Sequence, residues 1–351
     1  MADNSALVIG ATGATASRLV EHLAGDLGWK VYGACRTPPS NGAPFLHVGC
    51  DLMDRDAVTA SFAGLSDVTH VFYAARAPHG EGGRESVEDN VAMLRNVLDG
   101  IEAVADSLAH VHLVEGGKWY GLHIGAYRTP AREDQPRHLP PNFYYDQQDL
   151  LAARARDGGW TWSASRPNVV CDFAPQRARN LVSIIAAYAA ICRAANVELD
   201  FPGSRGSFET LTEVTDARLL ARAIAWMGTS QSAANSAFNI TNGDIFRWRT
   251  LWPAIAEYFG VRCGEPRDFR LASWMADKQP MWSDIVTRNG LCQPRLEHVA
   301  HWEFGDFVFA QDYDVISDLG RIRRAGFCET VDTQVMFTDL FDAYRKARIL
   351  P

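Results

Sequence analysis

Apolar and polar residues fall into two alternating patterns along the chain. Short apolar runs of the kind that become buried parallel strands alternate with stretches whose apolar residues recur three and four apart, as on one face of a helix. Leu7, Val8 and Ile9 open the series as a strand, and Leu19, Val20 and Leu23 then share a helical face. The pattern predicts further strands over residues 30–36, 45–52, 68–75, 110–114, 160–167 and 237–242. It predicts helices over residues 90–98, with Val91, Leu94 and Leu98 inward, over 180–195 and over 216–227. Strand and helix in strict alternation indicate an α/β fold, a Rossmann-type doubly wound parallel sheet. A smaller, mostly helical C-terminal domain for substrate is expected beside it. The expected boundaries are 1–172 for the dinucleotide-binding domain, completed by about 208–243. Residues 173–207 and 244–351 then form the substrate-binding region.

The first strand runs directly into Gly10-Ala-Thr12-Gly13-Ala14-Thr-Ala16. Gly10 permits the tight turn, and Gly13 lets backbone N–H groups approach a pyrophosphate. The helix beyond attracts the anion with its N-terminus. The spacing GxxGxxA is the short-chain dehydrogenase/reductase form, with Ala16 where helix packs on strand. Arg36 and Thr37 stand where the second strand ends, without a carboxylate beside them. An acidic residue there favours NAD; an arginine, whose fork of donors matches a phosphate, favours the 2′-phosphate of NADP. The cofactor expected is therefore NADPH/NADP+. Asp51, followed by Leu52, ends the third strand beside the adenine position, where a carboxylate accepts from the amino group; a capping role for Asp51 stays equally open. Small Ala74 and Ala75 leave room for the cofactor at the end of the fourth strand.

Composition narrows the function classes. The chain has 351 residues, 47% of them hydrophobic, enough for a large core, and a formal net charge of -8. There is no long basic run, so nucleic acid and anionic membrane are poor partners. The most apolar helix, over 181–195, carries Ser183, Tyr188 and Arg193 and is too short to span a bilayer. The first apolar run belongs to a strand rather than to a targeting signal. Seven cysteines without a CxxC pair read as free thiols of a reducing cytosol, so a cytoplasmic enzyme is expected, with a homodimer left open. His110 and His112 share one face of the fifth strand. No third metal ligand is evident, so they read as ordinary hydrogen-bonders and no metal is expected.

After the fifth strand comes Glu115-Gly-Gly-Lys118-Trp-Tyr-Gly121, and later Pro141-Asn-Phe-Tyr144-Tyr145-Asp-Gln-Gln-Asp149. Short-chain reductases commonly place a lysine one helical turn after the catalytic tyrosine. Here those positions hold Gln148 and Asp149, and Lys118 is the nearby lysine in this layout. Read from the residues alone, Tyr144 is equally a half-buried aromatic at a helix start and Lys118 a surface cation.

GKWYG, NFYYDQQD, WTWSASRPN, AAYAAIC, FNITNGDIFRW, FGVRCGE and HWEFGD together resemble the progesterone 5β-reductase/iridoid synthase family of atypical extended short-chain reductases. The correspondence runs from the glycine turn to Pro351. The resemblance implies NADPH-dependent 1,4-reduction of the C=C bond of enones and enals, with a steroid, a terpenoid or a smaller enone as substrate. Its catalytic lysine falls on Lys118 and its catalytic tyrosine on Tyr144. Hydride delivered to the β-carbon pushes charge onto the carbonyl oxygen. Tyr144 would hydrogen-bond that oxygen. Lys118 would lower the phenol's pKa or hold the nicotinamide ribose. Pro167 starts a loop expected against the nicotinamide, with Val170 and Arg177 further along it. Phe304 faces the substrate by the same resemblance, and Trp274 and Met275 are further candidates. Tyr145 is assigned to packing or to the pocket edge.

The chain departs from the family where Arg76 follows the fourth strand, a position the resemblance fills with an aromatic residue. It departs again in Asn168-Val-Val-Cys-Asp172. Arg177 and Arg179 in the loop that follows either bind phosphate or line a solvated face. Two alternatives remain beside the ene reductase. One is a carbonyl reductase or alcohol dehydrogenase that uses the same tyrosine as proton donor. The other is an NADP(H) sensor without turnover.

Overall fold

The computed structural model describes residues 4–39, 42–78, 85–175 and 177–351. Seven parallel strands build the main sheet: β1 (Ser5–Ile9), β2 (Lys30–Ala34), β3 (Leu46–Val48), β4 (His70–Tyr73), β5 (His110–Val114), β6 (Thr161–Pro167) and β7 (Ser236–Ile240). Their spatial order is β7-β6-β5-β4-β1-β2-β3, so the chain reverses direction across the sheet between β1 and β4. In an open parallel sheet the ligand crevice lies outside the carboxyl ends of the strands at that reversal.

Helices cover both faces, which is why the strands read as continuous apolar runs. On one face α1 (Ala14–Glu21) and α6 (Ala217–Thr229) pack together over Ala6, Val8 and Phe72. On the other lie α2 (Arg55–Phe62), α3 (Val87–Glu102) and α4 (Phe143–Gly158), over Leu7, Ile9, Val71 and Leu113. A third core gathers α5 (Leu181–Ala195), α7 (Trp248–Phe259), α8 (Trp302–Phe309) and α9 (Thr333–Lys346). Every residue from Leu181 to Cys192 is buried, so α5 is the axis of that core.

The elements fall where the sequence puts them, with shifted ends. β3 keeps only three of the eight residues expected; it is an edge strand, two of whose three residues are exposed. α3 starts before Asn90 because Ser86 caps it, accepting from the Asp89 N–H at 3.1 Å, and Glu88 and Asp89 favour its first turn. That registers Met93, Leu94, Val97 and Leu98 inward and leaves Val91 half-buried. Asn180 and Asp216, expected as first helical residues, are the caps of α5 and α6.

Trp252 on α7 carries much of the third core. It is fully buried, its Nε1 donates to the Leu199 carbonyl at 2.9 Å, and its ring meets Phe201 and Phe309 edge-on. Trp252→Ala should cost about 3–5 kcal/mol of unfolding free energy in a urea titration; a loss below about 1 kcal/mol would show that this core is not packed as described.

Candidate active site

The turn after β1 is a cradle whose two ends are glycine backbone. Gly10 has φ +77°, and a Cβ there would stand 3.3 Å from the Ala75 backbone, so the turn rests directly on the exit of β4. A Cβ on Gly13 would stand 2.8 Å from the Gly10 carbonyl oxygen. No side chain caps α1, so the first N–H groups of this helix remain open to an anion. Thr12 is exposed at the tip of the turn and Ala14 begins the helix. These features fit the pyrophosphate of a dinucleotide.

Around the cradle, the structure spreads the other predicted cofactor residues along the carboxyl ends of the strands. Arg36 and Thr37 follow β2 and are exposed. Asp51 is exposed and accepts from the Met53 N–H at 3.0 Å, while Asp54 caps α2. The Leu52 carbonyl accepts from Asn96 on α3. Ala74 and Ala75 continue from β4. Pro167 ends β6, and Val170 pairs with Thr215 in a short second sheet. Arg18 on α1 ties the cradle to the loop after β6: it donates to Asp172 at 2.7 Å and to the Phe173 carbonyl at 2.6 Å. Burial pushes the Asp172 carboxyl up to about 6, against the pull of Arg18.

Tyr144 stands one residue into α4, behind the cap Asn142. Its hydroxyl lies 3.5 Å from where a Cβ of Gly116 would be, and the Pro167 carbonyl oxygen lies 3.4 Å from the same point. The phenol thus sits at the joint exits of β5 and β6. Among the described residues no group hydrogen-bonds it. Burial pushes its pKa well above the ordinary phenol value, and Arg76 is the cation that opposes this. The side chain is therefore a neutral donor awaiting an acceptor.

Lys118 lies in the turn Gly117–Tyr120 after β5. Its ammonium does not bond the phenol; it donates to Glu85 Oε1 at 2.9 Å, and Arg76 donates to the same oxygen at 2.9 Å. What joins Lys118 to Tyr144 is Asn142. The amide Oδ1 accepts from the Tyr144 N–H at 3.2 Å, and Nδ2 donates to the Lys118 carbonyl at 2.8 Å. His138 adds a contact to that carbonyl at 3.0 Å.

Below the turn, Arg166 on β6 is buried and donates to Glu115 at 2.7 Å, Tyr120 at 3.1 Å and Gln148 at 3.0 Å. Its guanidinium lies flat on Trp119, 3.6 Å from the ring centre. Burial pushes the Glu115 carboxyl up to about 7, with Arg166 opposing.

Of the two places left open for Tyr145, the structure chooses packing. Tyr145 is 5% exposed, its ring is edge-on to Trp119, and its hydroxyl donates to the Trp119 carbonyl at 2.7 Å. These contacts favour the packing reading. Phe304 on α8 is half-buried, with the Arg179 guanidinium 4.8 Å over its ring. His110 and His112 are buried and share Ser163, with Thr161 and Ser165 as further partners at 2.8 and 3.0 Å. They are hydrogen-bonders, as the strand pattern suggests.

Sequence reasoning missed Asn142, Glu85, and the Arg166–Glu115 pair. Asn142 carries a readable signal, an asparagine directly before a helix. The others meet across strands or loops, and no local pattern marks them.

Comparison with known proteins gives the family. The model of the PRISE-like Rossmann-fold domain matches residues 46–351. An (S)-8-oxocitronellyl enol synthase from Nepeta cataria is 35% identical over 99% of this chain and 94% of its own. A 3-oxo-Delta(4,5)-steroid 5-beta-reductase from Arabidopsis thaliana is 34% identical over the same shares. Among solved structures, a UDP-glucose 4-epimerase from Thermus thermophilus in complex with NAD superposes with a TM-score of 0.67, at 17% identity, over 98% of this chain and 99% of that one. That likeness shows the fold. By the family match and by the identity along its whole length, the chain belongs to the PRISE-like Rossmann-fold family of oxidoreductases.

Proposed function

We propose that the protein reduces the C=C bond of an α,β-unsaturated carbonyl compound, an enone or enal, with NADPH. The observation that carries this reading is the Tyr144 hydroxyl. It is neutral, free of partners among the described residues, and set where β5 and β6 open onto the crevice. A relative named as an enol synthase and another named as a 5-beta-reductase support the same chemistry.

The chain's residues divide the work. The Gly10–Gly13 cradle and the open N-terminus of α1 bind the pyrophosphate. Arg36, exposed and with no carboxylate at its side among the described residues, takes the 2′-phosphate; Thr37, Asp51 and Leu52 border the adenosine. Ala74 and Ala75 leave space over β4, and Pro167 and Val170 border the nicotinamide. Bound there, NADPH supplies the hydride for the β-carbon. Charge then gathers on the carbonyl oxygen, and the Tyr144 O–H donates to it. The cation whose charge bears on that phenol is Arg76, against the carboxylates of Glu85 and Glu115, rather than Lys118. Lys118 therefore takes the second of its two expected roles, holding the nicotinamide ribose, with Asn142 fixing its backbone beside Tyr144. Among the described residues no side chain is positioned as an acid for the α-carbon, so water is the proton source in this reading.

Tyr144→Phe should lower kcat for a simple enone by about 10²–10³ while the NADPH dissociation constant stays within about twofold; undiminished turnover removes Tyr144 from the mechanism. The product identifies the reaction: a saturated carbonyl compound is expected, and an allylic alcohol would establish carbonyl reduction instead. Arg36→Asp should shift the NADPH/NADH ratio of kcat/KM towards NADH by about tenfold or more, since one charge-assisted contact to phosphate is worth roughly 1.5–3 kcal/mol. An unaltered ratio would refute the phosphate assignment.

A further inference from the structure

Two glycines stand side by side after β5, at the start of the turn that carries Lys118, and packing accounts for only one of them. A Cβ on Gly117 would collide with Asn168 Oδ1 and stand 3.0 Å from Leu122 Cδ2. Asn168 cannot give way: it is 3% exposed, and its Nδ2 donates to the buried Glu213 at 2.6 Å. Gly117 is therefore a glycine of the fold. Gly116 is different. Its backbone is extended, with φ 176° and ψ -178°, so no left-handed conformation calls for glycine. Apart from chain neighbours, and among the described residues, a Cβ there would meet two atoms within 4 Å. They are the Pro167 carbonyl oxygen at 3.4 Å and the Tyr144 hydroxyl at 3.5 Å. Both are ordinary contact distances, so the fold accepts alanine at this position. The open space at Gly116 serves neither backbone nor packing, and it lies against the phenol.

We propose that Gly116 is the seat of the substrate's carbonyl carbon, and that the missing side chain sets how much bulk this carbon can carry. The seat rests on the ene-reductase reading above and says what that site admits.

The distances suit a carbonyl group. An oxygen that accepts from a phenol at about 2.7–2.8 Å, along a lone pair at roughly 120°, places its carbon about 3.5 Å from the phenol oxygen. The Tyr144 oxygen stands at that distance from the open point. The second neighbour agrees in sign. The Pro167 oxygen is the negative end of its own carbonyl, and the carbon is the positive end of the substrate's. A carbonyl group seated at Gly116 thus turns its oxygen to a donor and its carbon to an oxygen lone pair. A methyl on residue 116 would take the place of that carbon and push the carbonyl group off the phenol. An enal, with hydrogen on its carbonyl carbon, has more room to retreat from that methyl than a methyl ketone has. The nicotinamide carboxamide is the other carbonyl group expected in the crevice. Tyr144 is the donor assigned to substrate, so the seat goes to substrate as well.

The test compares (E)-oct-2-enal with (E)-non-3-en-2-one, which differ by hydrogen or methyl on the carbonyl carbon, in NADPH oxidation assays. Gly116→Ala should lower kcat/KM for the ketone by about 10²-fold, the usual cost of a misplacement on the order of 1 Å. For the aldehyde the loss should be about tenfold, since one methyl group is worth roughly 10–200-fold in discrimination. The enal-to-enone ratio then rises about tenfold, while the melting temperature is kept and the NADPH dissociation constant stays within about twofold. Gly117→Ala is the contrast, with a lower melting temperature and an unchanged ratio. Undiminished turnover of both compounds in Gly116→Ala overturns the proposal. An equal loss for both, or a melting temperature lowered as in Gly117→Ala, makes Gly116 a packing glycine and overturns it too. NADPH binding weakened as much as turnover gives the space to the nicotinamide carboxamide, and the proposal falls. A wild type that uses one of the two compounds alone is judged on that compound: a loss of about tenfold or more upholds the seat, and undiminished use rejects it. Should the wild type turn over neither, the ene-reductase reading fails. The seat is then decided by calorimetry of nonan-2-one on the NADP+ complex. Binding by the wild type that is lost in Gly116→Ala upholds it; equal binding, or none, rejects it.

Discussion

One amide holds the two halves of the site together. Asn142 caps α4 with its oxygen and so fixes the first turn from which Tyr144 projects. With its nitrogen it grips the carbonyl of Lys118, in the turn that leaves β5. The strand exit and the helix start are separated by more than twenty residues of chain, yet their relative position is set by two hydrogen bonds from a single side chain. Asn142 is buried, so both bonds are made where water does not compete and where losing either strands a polar group. Arg166 does the corresponding work underneath. It stacks on Trp119, pairs with Glu115 and reaches Gln148 one turn along α4 from Tyr144. Removing one partner of such a buried pair costs about 3–5 kcal/mol, because the other charge is left buried without a counter-ion.

Upon that floor the electrostatics are uneven by design of the sequence. Glu85 collects Arg76 and Lys118 on one oxygen, and Arg179 has no carboxylate of its own among the described residues. The Tyr144 phenol is neutral, and burial raises its pKa further above the ordinary phenol value. A neutral donor is what a developing enolate oxygen needs, because it strengthens its hydrogen bond as charge arrives without carrying charge beforehand.

Much of this was legible in the sequence, and the physical reason is locality. Strands buried on both faces show as apolar runs. The cradle shows as glycines, because φ +77° at Gly10 and the close approach of Gly13 to its neighbours leave no room for a side chain. Tyr144 and Lys118 were reached through family-specific motifs rather than through spacing. Their direct meeting, which spacing could not supply, is replaced in the structure by the Asn142 bridge and the Glu85 partner. The ends of β3 and α3 were misjudged for ordinary reasons: edge exposure shortens one and an unread serine cap lengthens the other. Tyr145 illustrates the limit of motif reasoning, since two adjacent tyrosines on a helix point to different faces and only packing shows which hydroxyl is bonded within the protein. The Arg166–Glu115 pair is invisible locally, because its partners lie on separate strands and meet through sheet register.

The central claim is where the hydride goes. Turnover of a simple enone with NADPH carrying deuterium at both C4 positions, followed by NMR of the product, reads this directly. The account predicts a single deuterium on the former β-carbon and none on the carbonyl carbon. Deuterium on the carbonyl carbon, in an alcohol that keeps its double bond, would contradict it.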